Sequence, residues 1–157
     1  MALTLLIFRH AKSGWDADSD HQRTLTELGQ QQAKFMGEQL KERAIQPDLV
    51  ICSSALRAKT TMDLAMTAGE WECDSNITDA LYNTTVADTL NLIKQFSDHD
   101  KVVMLIGHEP TWSELVQALS SEAVAFATAG MCCLQFDREH WKDTEAGTAE
   151  LLWYEQP

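Results

Sequence analysis

The sequence predicts an α/β fold, a three-layer α/β/α sandwich on a mostly parallel sheet, and three observations predict it. Apolar strand-like runs alternate along the chain with segments of helical period. The first run, residues 3–8 (Leu-Thr-Leu-Leu-Ile-Phe), is almost unbroken, which suits a strand buried on both faces. Two closing runs, residues 131–136 and 149–154, are joined by a polar stretch short enough to make them an antiparallel pair. The sheet is therefore expected to be mixed. At 157 residues the chain is expected to form one domain, residues 1–157.

The first strand ends at Arg9 and His10. A polar loop follows, with Gly14, Trp15 and the aspartates Asp16, Asp18 and Asp20, expected to be solvated surface. Thr26 or Thr24 is expected to cap a helix running to Arg43, with Leu28, Phe35, Met36 and Leu40 on its apolar face. Pro47 punctuates, and residues 48–52 read as a second buried strand. Ser53 and Ser54 offer an N-cap for a helix over residues 55–66.

Residues 71–73 are expected to form a minor strand, and residues 86–96 a further helix. Residues 101–106 (Lys-Val-Val-Met-Leu-Ile) form the clearest strand after the first and end in Gly107-His108-Glu109-Pro110. A helix over residues 112–119 follows, Pro110 fitting its first turn.

Composition narrows the function. Lys and Arg total 12 against 24 Asp and Glu, a formal charge of −12. Such a field repels polyanions, so neither a nucleic-acid partner nor an anionic membrane is expected. No run reaches the length of a membrane span, and the N-terminal run is too short for a signal sequence. Cys52, Cys73, Cys132 and Cys133 form no Cys-x-x-Cys pair and are expected to be reduced core filler in a cytoplasmic protein. No spacing suits a metal, so no metal or other cofactor is expected.

One constellation stands out. Arg9 and His10 follow the first strand, Arg57 opens the helix after the second, and His108 follows the third strong one. If those strands are parallel, all four side chains meet at one sheet edge, where open α/β sheets keep their ligands. Two arginines and two histidines near helix starts define an anion site, most naturally for a phosphoryl group. Each cation about 4 Å from that charge contributes on the order of 4 kcal/mol before desolvation. A neutral imidazole is also a nucleophile, and the nearby arginines are expected to keep it neutral. His10 is expected to attack phosphorus while Arg9, Arg57 and His108 stabilise the equatorial oxygens.

These segments resemble the histidine phosphatase superfamily, its phosphoglycerate-mutase-like branch 1, and within it the small SixA-type phosphohistidine phosphatases. The resemblance rests on Phe8-Arg9-His10-Ala11-Lys12-Ser13, residues 23–29, Ser53-Ser54-Ala55-Leu56-Arg57-Ala58 with Thr60 and Thr61, and Gly107-His108-Glu109-Pro110. It implies that His10 is the phosphorylated nucleophile, that Arg9, Arg57 and His108 complete the phosphate pocket, and that Arg23 is a further phosphate or substrate contact. It also implies a phosphorylated protein or a small phosphorylated substrate as partner.

Three departures matter. Ala11 stands where glycine is common, Ser54 where proline is frequent, and Glu109 where asparagine is frequent. Glu109 either raises the pKa of His108 or points to solvent; the second is expected. The loop where relatives acting on esters carry an acidic glutamate reads Thr-Asp-Ala-Leu-Tyr-Asn-Thr-Thr over residues 78–85. Asp79 and Asp16 are the candidates for that acid. An imidazole leaving group needs less proton help than an alkoxide, so the missing glutamate favours P–N over P–O cleavage. Trp15 and Trp112 are expected to pack beside the site, Trp153 in the core, and His21, His99 and His140 at the surface.

Overall fold

The computed structural model describes residues 2–157. One six-stranded sheet organises them, with β1 (Leu3–Arg9), β2 (Leu49–Ser53), β3 (Asp74–Thr78), β4 (Val102–Gly107), β5 (Met131–Phe136) and β6 (Ala149–Glu155). The spatial order is β3-β2-β4-β1-β5-β6. The first four strands are parallel; β5 runs antiparallel to β1, and β6 antiparallel to β5. The expected mixed sheet is therefore observed. Four helices flank it: α1 (Glu27–Glu42), α2 (Leu56–Gly69), α3 (Val86–Ile93) and α4 (Thr111–Ser120).

The unbroken apolar run of β1 has a simple cause. Leu6 and Phe8 join the core on the α1–α2 side, while Leu3, Leu5 and Ile7 join the core that includes Trp112 and Leu115 of α4. Period-2 alternation therefore serves two cores at once. Cys52, Cys132 and Cys133 lie inside, and burial pushes their thiols up, Cys132 to about 12 and Cys133 to about 11.

Several elements differ from expectation. The buried face of α1 is Gly29, Ala33, Met36, Gly37 and Leu40, while Leu28 and Phe35 are exposed at 53% and 42%. Small residues win that face because α2 packs close: a Cβ at Gly37 would run into the Ala65 carbonyl. The minor strand lies at Asp74–Thr78 rather than residues 71–73; as an edge strand it is mostly exposed, so no apolar signal marks it. Trp71 is instead buried beside Gly69. The helix at residue 86 ends at Ile93, and Phe96 beyond it packs edge-on against buried Trp141. Trp153 is only half-buried, with the Arg43 guanidinium 3.8 Å over its ring.

Candidate functional site

Parallel pairing brings the ends of β1, β2 and β4 to one sheet edge. Arg9 pairs in register with Gly107, and Cys52 with Ile106, so the residues just beyond each strand converge. A cavity of about 420 Å³ lies there, lined by Arg9, His10, Arg57 and His108, the four residues singled out from sequence. Arg23 lines it as well.

His10 is 8% exposed. Its Nδ1 lies 2.7 Å from the Ala11 carbonyl oxygen, which can only accept. Nδ1 therefore carries the proton, and the lone pair stays on Nε2. Burial above all pushes the His10 pKa down, to about 3; His108, Arg57 and Arg9 add smaller effects in the same direction. The ring is thus neutral, with desolvation rather than arginine proximity as the main cause.

His108 lies 5.2 Å from His10 between ring centroids. Burial first, and Arg57 second, lower its pKa to about 4. Its Nε2 is 2.8 Å from Ser53 Oγ, and its Nδ1 is 3.4 Å from Arg57 Nη2. Beneath it, Trp112 is fully buried and donates Nε1–H to the Phe8 carbonyl, supporting the strand ends rather than walling the cavity.

Both arginines keep a donor unspent. Arg9 donates Nη1–H to the Phe126 carbonyl, and Arg57 donates Nη1–H to the Asp20 carbonyl. The Nε of each is buried without a partner. Buried guanidinium donors are ordinarily satisfied, so the pair is suited to an anion. Thr61 helps to hold Arg57 in place: its hydroxyl donates to the Arg57 carbonyl and accepts from Ala11 N–H.

Four expectations are corrected. Ser53 and Ser54 do not cap α2, whose N-cap is Ala55 with no side-chain partner. Their hydroxyls meet His108 Nε2 and His21 Nε2, at 2.8 and 3.0 Å. Glu109 neither charges His108 nor faces open solvent; it accepts from Ser113 N–H and Oγ–H, fastening the first turn of α4. The acidic loop is not simply solvated. Asp20 accepts from Tyr82 Oη (2.6 Å), Arg23 Nη1 (3.1 Å) and Arg57 Nη2 (3.2 Å). The Tyr82 hydroxyl first, with the two arginines, draws the Asp20 pKa down to about 2. Finally, Asp79 and Asp16 do not line the cavity; Asp20 and Glu109 are the carboxylates that do.

Asp20, Ser53, Ser54, His21 and Tyr82 were not singled out as site residues from sequence. His21 packs edge-on against Tyr82 at 4.8 Å, so it is not a free surface histidine. Trp15 is 81% exposed at the cavity mouth, with the Arg23 guanidinium 3.5 Å over its ring. Ser54, a departure from the family pattern, and the glutamate-free loop that holds Tyr82 are the sequence signals that fall on these residues.

Known proteins resemble this chain in sequence and in fold. The family model described as histidine phosphatase superfamily (branch 1) matches residues 5–88. An uncharacterized protein of Mycobacterium tuberculosis is 33% identical over 161 residues, covering 95% of this chain and 99% of its own length. The Nakamurella multipartitia structure that carries the name phosphohistidine phosphatase SixA superposes with a TM-score of 0.88 at 26% identity, over 100% of this chain and 97% of its own. The Agrobacterium tumefaciens structure of the same name gives 0.85 at 26%, over 99% and 98%.

Proposed function

The chain belongs to the histidine phosphatase superfamily, branch 1, and from that membership we propose a metal-independent cytoplasmic phosphatase that works through a phosphohistidine on His10. The carrying observation is the 2.7 Å contact of His10 Nδ1 with the Ala11 carbonyl oxygen, which sets the tautomer. With Nδ1–H held by the Ala11 carbonyl, Nε2 offers a lone pair inside a cavity whose two arginines have unspent buried donors. Nε2 attacks phosphorus, the P–N or P–O bond to the leaving group breaks, and its electron pair leaves with that group. Water then attacks the phosphorus on His10 and releases inorganic phosphate, restoring the free imidazole. Arg9, Arg57 and His108 hold the equatorial oxygens throughout.

The substrate is a phosphohistidine on a protein. The carboxylates lining the cavity support this over an ester. Asp20 is held ionised, with a pKa of about 2, and Glu109 is committed to Ser113. Neither is placed to protonate an alkoxide. A phosphohistidine protonated on its second ring nitrogen departs as neutral imidazole and needs no such acid. The names of the SixA structures point the same way.

Protein quenched in denaturant at alkaline pH should carry base-stable phosphate that is lost on acidification and is absent from His10→Ala. Absence of both the trapped phosphate and phosphate release from the wild-type protein would leave a phosphate-binding module. Turnover should survive EDTA. Phosphohistidine peptide and para-nitrophenyl phosphate, assayed in parallel, decide the substrate class; preference for the ester would make the enzyme a small-molecule phosphomonoesterase.

A further inference from the structure

Ser53 has no role in the scheme above, yet it is fully buried at the end of β2, beside His108. Its Oγ makes two contacts among the described residues. It accepts from Ala55 N–H at 3.2 Å, and it lies 2.8 Å from His108 Nε2. The hydroxyl proton therefore has one acceptor within reach, the Nε2 lone pair. The opposite arrangement, Nε2–H donating to Oγ, would leave a buried hydroxyl proton with nothing to bond, which folded proteins avoid.

We infer that Ser53 is a positioning residue that donates to His108 Nε2, so that the neutral ring presents Nδ1–H to the phosphoryl site. This tautomer gives up the long 3.4 Å bond that Arg57 Nη2–H makes to Nδ1 and keeps the shorter 2.8 Å bond from Ser53 Oγ–H to Nε2. Two donors set side by side in this way suit a single acceptor between them, a phosphoryl oxygen. His108 thus donates a hydrogen bond without first being charged, which suits a ring whose burial opposes protonation. His10 and His108 then share one tautomer and use opposite ends of it. The first shows the cavity a lone pair, the second a proton. Free histidine prefers the proton on Nε2, so both rings are set against their intrinsic preference, one by the Ala11 carbonyl and one by the Ser53 hydroxyl.

The inference rests on the proposed reading of the cavity as a phosphoryl site, but its test does not need turnover. Ring nitrogens of 15N-labelled protein are read at neutral pH, with His108→Gln identifying the His108 signals. The expected result is a proton-bearing Nδ1 and a bare Nε2. In Ser53→Ala the proton should move to Nε2, and affinity for inorganic phosphate should fall about tenfold, the worth of one charge-assisted hydrogen bond. Ser53→Thr, which keeps the hydroxyl, should restore both. A proton on Nε2 in the wild-type protein would overturn the inference, as would Ser53→Ala retaining Nδ1–H. If Ser53→Ala fails to fold, or phosphate binds too weakly to measure, the wild-type and Ser53→Thr ring signals decide alone. A protein with the expected tautomer but no phosphatase activity would sink the proposed function and leave this assignment standing.

Discussion

The floor and the rim of the cavity are held in different ways. The floor is Arg9, His10, Arg57 and His108, which stand at strand ends or in the first turn of α2. Its histidines bond to a backbone carbonyl and a buried hydroxyl. The rim is Trp15, Asp20, His21, Arg23 and Tyr82, drawn from two segments some sixty residues apart and held largely by one another. Rigid elements keep reacting groups within tenths of an ångström, whereas loops adapt. The difference teaches that the reacting groups and the groups around the mouth have different supports here, joined where Arg57 donates to the Asp20 carbonyl and carboxylate.

If that division is right, floor substitutions should dwarf rim substitutions. Arg57→Lys keeps the charge but loses the planar fork that meets Asp20, His108 and the phosphoryl site together. Its kcat/KM should fall about 10²–10³-fold, in the range of losing one preorganised donor to developing charge. A fall under threefold in steady-state assays would erase the distinction between the two regions.

Acid should separate them by stability. Both floor histidines are depressed, to about 3 and about 4, from the ordinary 6.5. Below pH 6.5 the unfolded chain takes up protons that the fold refuses, so stability falls on acidification. The slope should approach about 1.4 kcal/mol per pH unit for each ring, down to the folded pKa. Asp20, depressed from 3.8 to about 2, stabilises above 3.8 and loses that contribution only between those values. Urea midpoints measured from pH 7 to 3 should therefore drop first through the floor, and replacing both histidines by Gln should flatten the upper part. A flat wild-type profile between pH 6.5 and 4 would contradict the neutral, buried floor.

The smallest effect should come from Tyr82→Phe. It removes the bond that does most to hold Asp20 ionised, so the Asp20 pKa should rise toward its usual value. Turnover of a small ester should change by less than about threefold, since an exposed rim bond contributes little. A loss as large as that of Arg57→Lys would move Tyr82 onto the floor.

What could be read from the chain tracks how local its causes are. Strands β1 and β4 announce themselves because burial on both faces demands unbroken apolar runs, and their polar ends mark the sheet edge. On α1, Met36 and Leu40 are buried as expected, but Leu28 and Phe35 give way to small residues because the close neighbour that requires Gly37 belongs to α2. Edge strand β3 has one bonded neighbour and mostly exposed side chains, so it left no pattern. Ser53 and Ser54 look like helix caps by position, and only the arrival of His108 and His21 from elsewhere redirects their hydroxyls.

By itself the sequence determined the layer order, the parallel core and the four side chains that meet at its edge. Those follow from periodicity and from where polar residues interrupt it. Tertiary structure alone decided which ring nitrogen of each histidine bears the proton, why both rings are neutral, and how Asp20 is shared by Tyr82 and two arginines. Such properties depend on partners distant in the chain and on the exclusion of water, and both exist only once the sheet has closed.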